Sequence, residues 1–108
     1  MDTEANALDL FRLDGKTAIV TGGGRGLGQY MAEALSDAGA NVVLCSRKKE
    51  ALDEVKEGIE ARGCRALALR CDVTDPDDAE NVASEAEKCF GTIDILVNNS
   101  GATWGRLL

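Results

Sequence analysis

The chain of 108 residues contains no histidine, and its aromatic residues are few: one tryptophan, one tyrosine and two phenylalanines. Its four cysteines, Cys45, Cys64, Cys71 and Cys89, are separated by 19, 7 and 18 residues, with no C-x-x-C pair. Zinc is usually held by histidines and closely spaced cysteines, so the sequence predicts no metal site. We expect the cysteines to be small buried side chains in a reducing compartment.

Basic residues and long apolar runs are also scarce. The 12 basic residues face 19 acidic ones, which gives a net charge of −7 and a pI near 4.5. The densest basic run, Arg47–Lys49, is too local to form a nucleic-acid-binding face. No apolar run approaches the 18 residues of a membrane span, and residues 1–6 carry acids where a targeting peptide carries bases. We therefore predict a cytoplasmic protein with neither nucleic-acid nor membrane partners.

Glycine, in contrast, is abundant and concentrated in Thr21–Gly28, which reads T-G-G-G-R-G-L-G. The apolar run Lys16–Thr21 before it predicts a buried strand. After it, Leu27, Met31, Leu35 and Ala38 recur at helical spacing and predict one core-facing stripe, with Gly39 at the helix end. A glycine loop between a strand and a helix lets a phosphate approach unpaired backbone amides and the positive end of the helix dipole.

The spacing of the glycines shows which nucleotide-binding loop pattern the sequence matches. No start point supplies the offsets of G-x-G-x-x-G, and Gln29-Tyr30 after Gly28 excludes a P-loop. The arrangement that fits is Thr21-Gly22-x-x-x-Gly26-x-Gly28. A glycine-rich turn without a ligand is the alternative interpretation.

Three further strand patterns follow, each separated from the last by a helical one. Thr74 or Asp75, with Pro76 and acids in the first turn, marks the start of the third helix, and glycines end the second and third helices. Strands that alternate with helices predict an α/β protein with a parallel sheet. The predicted strands are residues 16–21, 40–45, 65–71 and 93–97.

The T-G-x-x-x-G-x-G arrangement resembles the cofactor loop of the short-chain dehydrogenase/reductase family. Three later segments agree with that family in order and spacing: Cys45–Arg47, Cys71–Val73 and Asn98–Gly101, where the family commonly has N-N-A-G. The branches that look most similar are the 3-oxoacyl-[acyl-carrier-protein] reductases and the gluconate 5-dehydrogenases. The resemblance implies a Rossmann-type doubly wound parallel sheet, incomplete here, with strand order 3-2-1-4. It also implies a lead-in over residues 1–13 and the N-terminal half of a dinucleotide-binding domain over residues 14–108.

By the same resemblance, specific positions of this chain contact the cofactor. Asp72 is expected to accept a hydrogen bond from the adenine amino group, Val73 to pack on the ring, and Gly101 to approach the nicotinamide ribose. On sequence alone, Asp72 is equally a turn or capping residue, and the asparagines can simply close a turn. The cofactor-binding residues predicted in this way are Thr21, Gly22, Gly24, Arg25, Gly26, Leu27, Gly28, Ser46, Arg47, Asp72, Val73, Asn98, Ser100 and Gly101.

The second strand ends in Ser46-Arg47, where an acid would hydrogen-bond the 2′-hydroxyl of NAD. An arginine instead suits the 2′-phosphate of NADP, because a guanidinium grips a phosphate with paired hydrogen bonds, each worth roughly 1.5–3 kcal/mol. In family members that use NADP, the position of Arg25 adds a second guanidinium. We therefore predict NADP, with NAD less favoured. The alternative interpretation makes Arg47 a solvated residue at a helix start.

Family members reduce a ketone or oxidise a secondary alcohol with a tyrosine, a lysine four residues later and a serine. The only tyrosine here is Tyr30, and the residue four positions later is Ala34 in place of a lysine. No catalytic residue is therefore predicted, and the 108 residues alone are expected to be inactive. We interpret the chain as the cofactor-binding part of an oxidoreductase that is a homo-oligomer when intact. A non-catalytic nucleotide-binding or interaction module is the alternative, and a methyltransferase-like domain is a more distant one.

Overall fold

The computed structural model describes residues 12–24 and 26–99, in which four strands alternate with three helices. All the strand pairs are parallel, and the order across the sheet is β3-β2-β1-β4. The predicted α/β fold with strand order 3-2-1-4 is confirmed, and strand ends differ from the prediction by one or two residues. The elements are β1 (Thr17–Thr21), α1 (Gly26–Asp37), β2 (Asn41–Ser46), α2 (Lys49–Ala61), β3 (Ala66–Arg70), α3 (Pro76–Phe90) and β4 (Ile95–Asn98).

Helices cover both faces of the sheet and create two apolar clusters. On one face, Ala32 of α1 and Leu52 and Ile59 of α2 pack on β-strand residues such as Val42 and Leu44. On the other face, Val82 and Ala86 of α3 pack on Ile19, Val43 and Cys45. Because both faces are covered, β1 and β2 are apolar at every central position and do not alternate with polar residues.

The chain reverses its direction across the sheet after β3. The connections from β1 to β2 and from β2 to β3 move one way, and α3 then carries the chain back to β4 on the far side of β1. Open α/β sheets bind ligands outside the carboxyl ends of the strands at such a switch point. Here that point lies between β1 and β4, beyond Thr21 and Asn98.

The buried face of α1 differs from the predicted one. Gly28, Ala32 and Ser36 are buried, whereas Leu27 is 60% exposed. The predicted stripe from Leu27 is thus wrong by about one residue, a rotation of about 100° on a helix with 3.6 residues per turn. Hydrophobicity pointed to the large side chains, but small residues let the helix axis lie close to β1 and its loop.

The ends of α3 follow the predicted signals closely, whereas α2 starts without a side-chain cap. Asp75 caps α3 by accepting a hydrogen bond from the Asp77 N–H at 2.9 Å, and Gly91 ends the helix in a left-handed conformation at φ +84°. For α2 the cap is Lys48, a neighbour of Ser46, and its side chain makes no capping hydrogen bond. The Ser46 hydroxyl instead accepts a hydrogen bond from the Lys48 N–H at 3.2 Å.

Between β3 and α3, the chain turns around Asp72. Its Oδ1 accepts hydrogen bonds from the Thr74 hydroxyl at 2.6 Å and the Thr74 N–H at 3.0 Å, and its own N–H donates to Asp78 Oδ2 at 2.9 Å. The hydrogen bonds from Thr74 hold the pKa of Asp72 below its ordinary value of 3.8, with smaller help from Arg47 and Arg70. The turn interpretation of Asp72 is therefore confirmed.

The cysteines only partly match their predicted burial. All four are free thiols; Cys45 and Cys71 are buried, Cys64 is half-buried and Cys89 is exposed. Cys89 is exposed because Phe90, not Cys89, packs against the α3 side of the sheet. Residues 12–24 and 26–99 include no helix long and apolar enough to cross a membrane.

The register of α1 can be tested with two alanines that lie two residues apart. Ala32 is fully buried and Ala34 is exposed. Ala32→Leu should lower the free energy of unfolding by about 1–3 kcal/mol, because the helix cannot retreat from the sheet without opening the core. Ala34→Leu, the matched control, should change it by less than about 0.5 kcal/mol. Urea denaturation of both variants makes the comparison, and equal effects would contradict this register.

The Asp72 turn leads to a prediction about titration. Thr74→Val removes the hydroxyl that bonds Asp72, so the pKa of Asp72 should rise toward 3.8, whereas Thr74→Ser should keep it low. A depressed carboxyl pKa adds stability above the unfolded value, and that stability is lost as the pH falls through the folded value. The variant should thus lose less stability than the parent below pH 3.8. Carboxyl NMR titration measures the shift, and an unchanged Asp72 pKa in Thr74→Val would contradict the assignment.

Candidate functional site

The glycine loop lies at the carboxyl end of β1 and is held by its own backbone. The Gly22 N–H donates to the Cys45 carbonyl at 2.8 Å, which ties the loop to the end of β2. Gly22 and Gly26 adopt φ values of +65° and +60°, which side chains disfavour. These two glycines let the chain leave β1 and enter α1 within a few residues.

Gly28 is required for a different reason, the close approach of α1 to the loop. A Cβ atom built on Gly28 would clash with the Gly22 carbonyl oxygen and lie 2.9 Å from the Asn99 Nδ2 atom. Gly23 has no room either, since its Cβ would lie 2.8 Å from Leu44 Cδ2. Bare backbone is therefore packed between the end of β1 and the first turn of α1.

The Thr21 hydroxyl joins β1 to β4 at the switch point. It accepts a hydrogen bond from the Asn99 N–H at 2.8 Å and lies 3.3 Å from Asn98 Oδ1 and 3.4 Å from the Val97 carbonyl. Thr21 is fully buried and pairs with Asn98 in the parallel register. Through this contact, Thr21 links the carboxyl ends of β1 and β4.

Asn99 is a residue that the sequence interpretation missed. Its side-chain amide lies over the loop, 3.3 Å from a Cβ built on Gly22, and close to Gly28. The signal in the sequence is the doubled asparagine after an apolar strand, but the predicted cofactor-binding residues include only Asn98 of this pair. Strand pairing with Thr21 decides which of the two amides contacts the loop.

An open cavity of about 280 Å³ lies between this loop and the start of α2. Four predicted cofactor residues line it, together with two residues that the sequence interpretation did not select, Lys48 and Ala51. Two cationic residues, Arg47 and Lys48, thus line the same space as the glycine backbone, and none of the described residues that line it is acidic. The lining consists of Gly22, Gly24, Ser46, Arg47, Lys48 and Ala51.

The other predicted site residues lie around this cavity. The Cys71 N–H donates to the Ser46 carbonyl at 2.8 Å, which places Asp72 and Val73 beside the end of β2 but not in the cavity lining. Val73 packs against the apolar cluster under α3. Leu27 is exposed at the start of α1. Arg25, Ser100 and Gly101 lie outside the described residues.

The two buried thiols, Cys45 and Cys71, lie near these strand ends. Burial raises the pKa of both, and for Cys45 the neighbouring Cys71 raises it further. Thiols that stay protonated are poor nucleophiles and poor metal ligands. No group of three or more metal-ligating side chains occurs within residues 12–24 and 26–99. The described residues that line the cavity offer a ligand glycine backbone and the cations Arg47 and Lys48.

Comparison with curated proteins identifies relatives that are oxidoreductases. A sorbose reductase of Candida albicans is 47% identical over 100 residues, covering 93% of this chain and 36% of the relative. A gluconate 5-dehydrogenase of Gluconobacter oxydans is 45% identical over 93 residues, covering 86% of this chain and 36% of the relative. The chain thus spans little more than a third of the length of these relatives.

Solved structures agree in fold. A 7α-hydroxysteroid dehydrogenase complexed with NADH and 7-oxo glycochenodeoxycholic acid matches with a TM-score of 0.83 and 40% identity, over 88% of this chain and 37% of that structure. A metagenomic short-chain oxidoreductase in complex with NADP matches with a TM-score of 0.78 and 39% identity, over 85% of this chain and 42% of that structure. A model of the short chain dehydrogenase family matches residues 16–107. The chain therefore belongs to the short-chain dehydrogenase/reductase family of oxidoreductases.

Proposed function

We propose that this chain forms the cofactor-binding part of an oxidoreductase that prefers NADP. The intact enzyme would transfer a hydride between NADP(H) and a ketone or secondary alcohol. The observation that carries the proposal is the cavity at the ends of β1 and β2, where Arg47 and Lys48 share the lining with the glycine loop. Related structures hold NADH in one case and NADP in another, so the choice depends on residues of this chain.

The residues present fit a dinucleotide phosphate. Gly22 and Gly24 present backbone without side chains to the cavity, which leaves room for a sugar or phosphate. Ser46 occupies the strand-end position where an acid would repel a 2′-phosphate, and its hydroxyl makes a hydrogen bond with the Lys48 N–H. Arg47 and Lys48 follow directly and are both exposed to solvent. Such a pair can bind a phosphate that carries nearly two negative charges.

The remaining predicted contacts surround this space. We propose that Thr21, Gly26, Leu27 and Gly28 hold the loop and helix start against the pyrophosphate, and that Arg25 adds a second guanidinium near the 2′-phosphate. We place Asp72 and Val73 at the adenine, and Asn98, Ser100 and Gly101 at the nicotinamide side. When bound, the nicotinamide supplies the hydride. These residues bind and orient the nicotinamide and take no proton. The only tyrosine of the chain, Tyr30, is 71% exposed on α1, and the residue four positions later is Ala34 in place of a lysine.

Substrate class is inferred from the relatives and not from this chain. Two relatives are a sorbose reductase and a gluconate 5-dehydrogenase, and a structural neighbour holds 7-oxo glycochenodeoxycholic acid. Each contains a carbonyl or hydroxyl carbon on a small molecule, which supports the ketone/alcohol proposal. A cytoplasmic location and assembly into a homo-oligomer stay predictions, as does the division between residues 13 and 14.

Cofactor preference can be tested by reversing one charge. Arg47→Asp in the full-length protein should lower the ratio of NADPH to NADH affinity by about a hundredfold, because a cation that binds the phosphate is replaced by an anion that repels it. Lys49→Ala is the matched control, since Lys49 is a neighbouring cation that pairs with Asp53 at 3.2 Å and does not line the cavity. Titration calorimetry with both cofactors measures the ratio. An unchanged ratio in Arg47→Asp would contradict the proposal.

A further inference from the structure

Two small residues line the cavity together with Arg47: Gly24 in the loop and Ala51 in the first turn of α2. A Cβ atom built on Gly24 would lie 3.0 Å from the Ala51 Cβ and 3.4 Å from Leu52 Cδ2. The loop and α2 are therefore in contact at this point, with no space for another carbon between them. Any atom added to residue 51 must enter the cavity or push the loop away.

Helix α2 cannot move back to make space. Leu52, the next residue, is fully buried, and Val55 and Ile59 bury the same face of α2 against β2 and β3. Withdrawing this face from the sheet would expose three apolar side chains, each worth about 1.5–3 kcal/mol when buried. The position of the Ala51 Cβ is thus set by the packing of its neighbours.

The loop is fixed as well. The Gly22 N–H bonds the Cys45 carbonyl at 2.8 Å, and Gly23 is packed so tightly on Leu44 that its Cβ would lie 2.8 Å from Cδ2. Because the loop and α2 are both held by the core, the space left in the cavity that they line depends on the size of side chain 51.

We propose that Ala51 is a specificity-determining residue: its small side chain keeps the cavity between Gly24 and Arg47 wide enough for the 2′-phosphate of the nucleotide. This inference rests on the proposed function and extends it, because the cations alone would not select NADP if the phosphate could not reach them. A larger residue 51 would exclude the 2′-phosphate sterically while leaving Arg47 and Lys48 in place. A nucleotide without that phosphate would need less of this space.

The test uses 2′,5′-ADP and 5′-AMP, two probes that differ only in the 2′-phosphate. In the full-length protein, Ala51→Val should lower the ratio of 2′,5′-ADP to 5′-AMP affinity by about tenfold or more, since valine has a stiff χ1 in a helix and cannot turn both methyl groups away from the loop and the cavity. Ala51→Gly should keep the ratio. Ala34→Val, on the exposed face of α1, controls for a β-branched residue in a helix.

A second measurement tests the contact itself. Gly24→Ala should weaken 2′,5′-ADP binding because its Cβ meets the Ala51 Cβ, and adding Ala51→Gly should restore part of the loss. Additive effects in this double-mutant cycle would contradict the contact. Thermal unfolding of each variant shows whether the fold is kept.

The outcomes separate the two proposals. If the parent protein binds 2′,5′-ADP no better than 5′-AMP, the NADP preference is wrong and this inference falls with it. If the parent shows the preference and Ala51→Val keeps it, or if both nucleotides weaken equally, only the role of Ala51 is wrong. A selective loss of 2′,5′-ADP affinity in Ala51→Val, with little change in 5′-AMP affinity, supports both.

Discussion

The site depends on the close packing of Gly28 against the carbonyl oxygen of Gly22. This contact brings the first turn of α1 onto the end of β1, and a single methyl group on Gly28 would prevent it. The positive end of the α1 dipole then lies at the carboxyl edge of the sheet, where an anionic ligand is favoured. Ala32 and Ser36, which are also small and buried, let the rest of α1 lie close to the sheet.

Hydrogen bonds connect the end of β1 and its glycine loop to the ends of the two neighbouring strands. Thr21 joins β1 to β4 through the Asn99 N–H, and Gly22 joins the loop to β2 through the Cys45 carbonyl. Three strand ends are thereby held in one place by hydrogen bonds between buried or half-buried groups. The loop backbone that lines the cavity is thereby attached to the core of the sheet.

The charged residues that line the cavity are opposite in sign to the net charge of the chain. The chain carries a net charge of −7, yet the described residues that line the cavity include two cations and no acid. Acidic residues are instead placed on the outward sides of α2 and at the start of α3, where they cap a helix or face solvent. A local cationic site on an acidic protein suits a small anionic ligand better than a polyanion such as nucleic acid.

The sequence by itself determined the alternation of strands and helices, the parallel sheet and the positions of the turns, because apolar periodicity, glycines and the Asp75-Pro76 cap act locally. It also placed Gly22, Gly24, Ser46 and Arg47 near one another through the rule that strand ends share an edge. Only the tertiary structure decided which face of α1 is buried, that Asn99 contacts the loop, and that Lys48 and Ala51 line the cavity. Hydrophobicity favours large side chains as the core, whereas close approach of a helix to a loop selects small ones. That selection depends on the distance between elements far apart in the chain, such as Gly24 and Ala51, which no local pattern encodes.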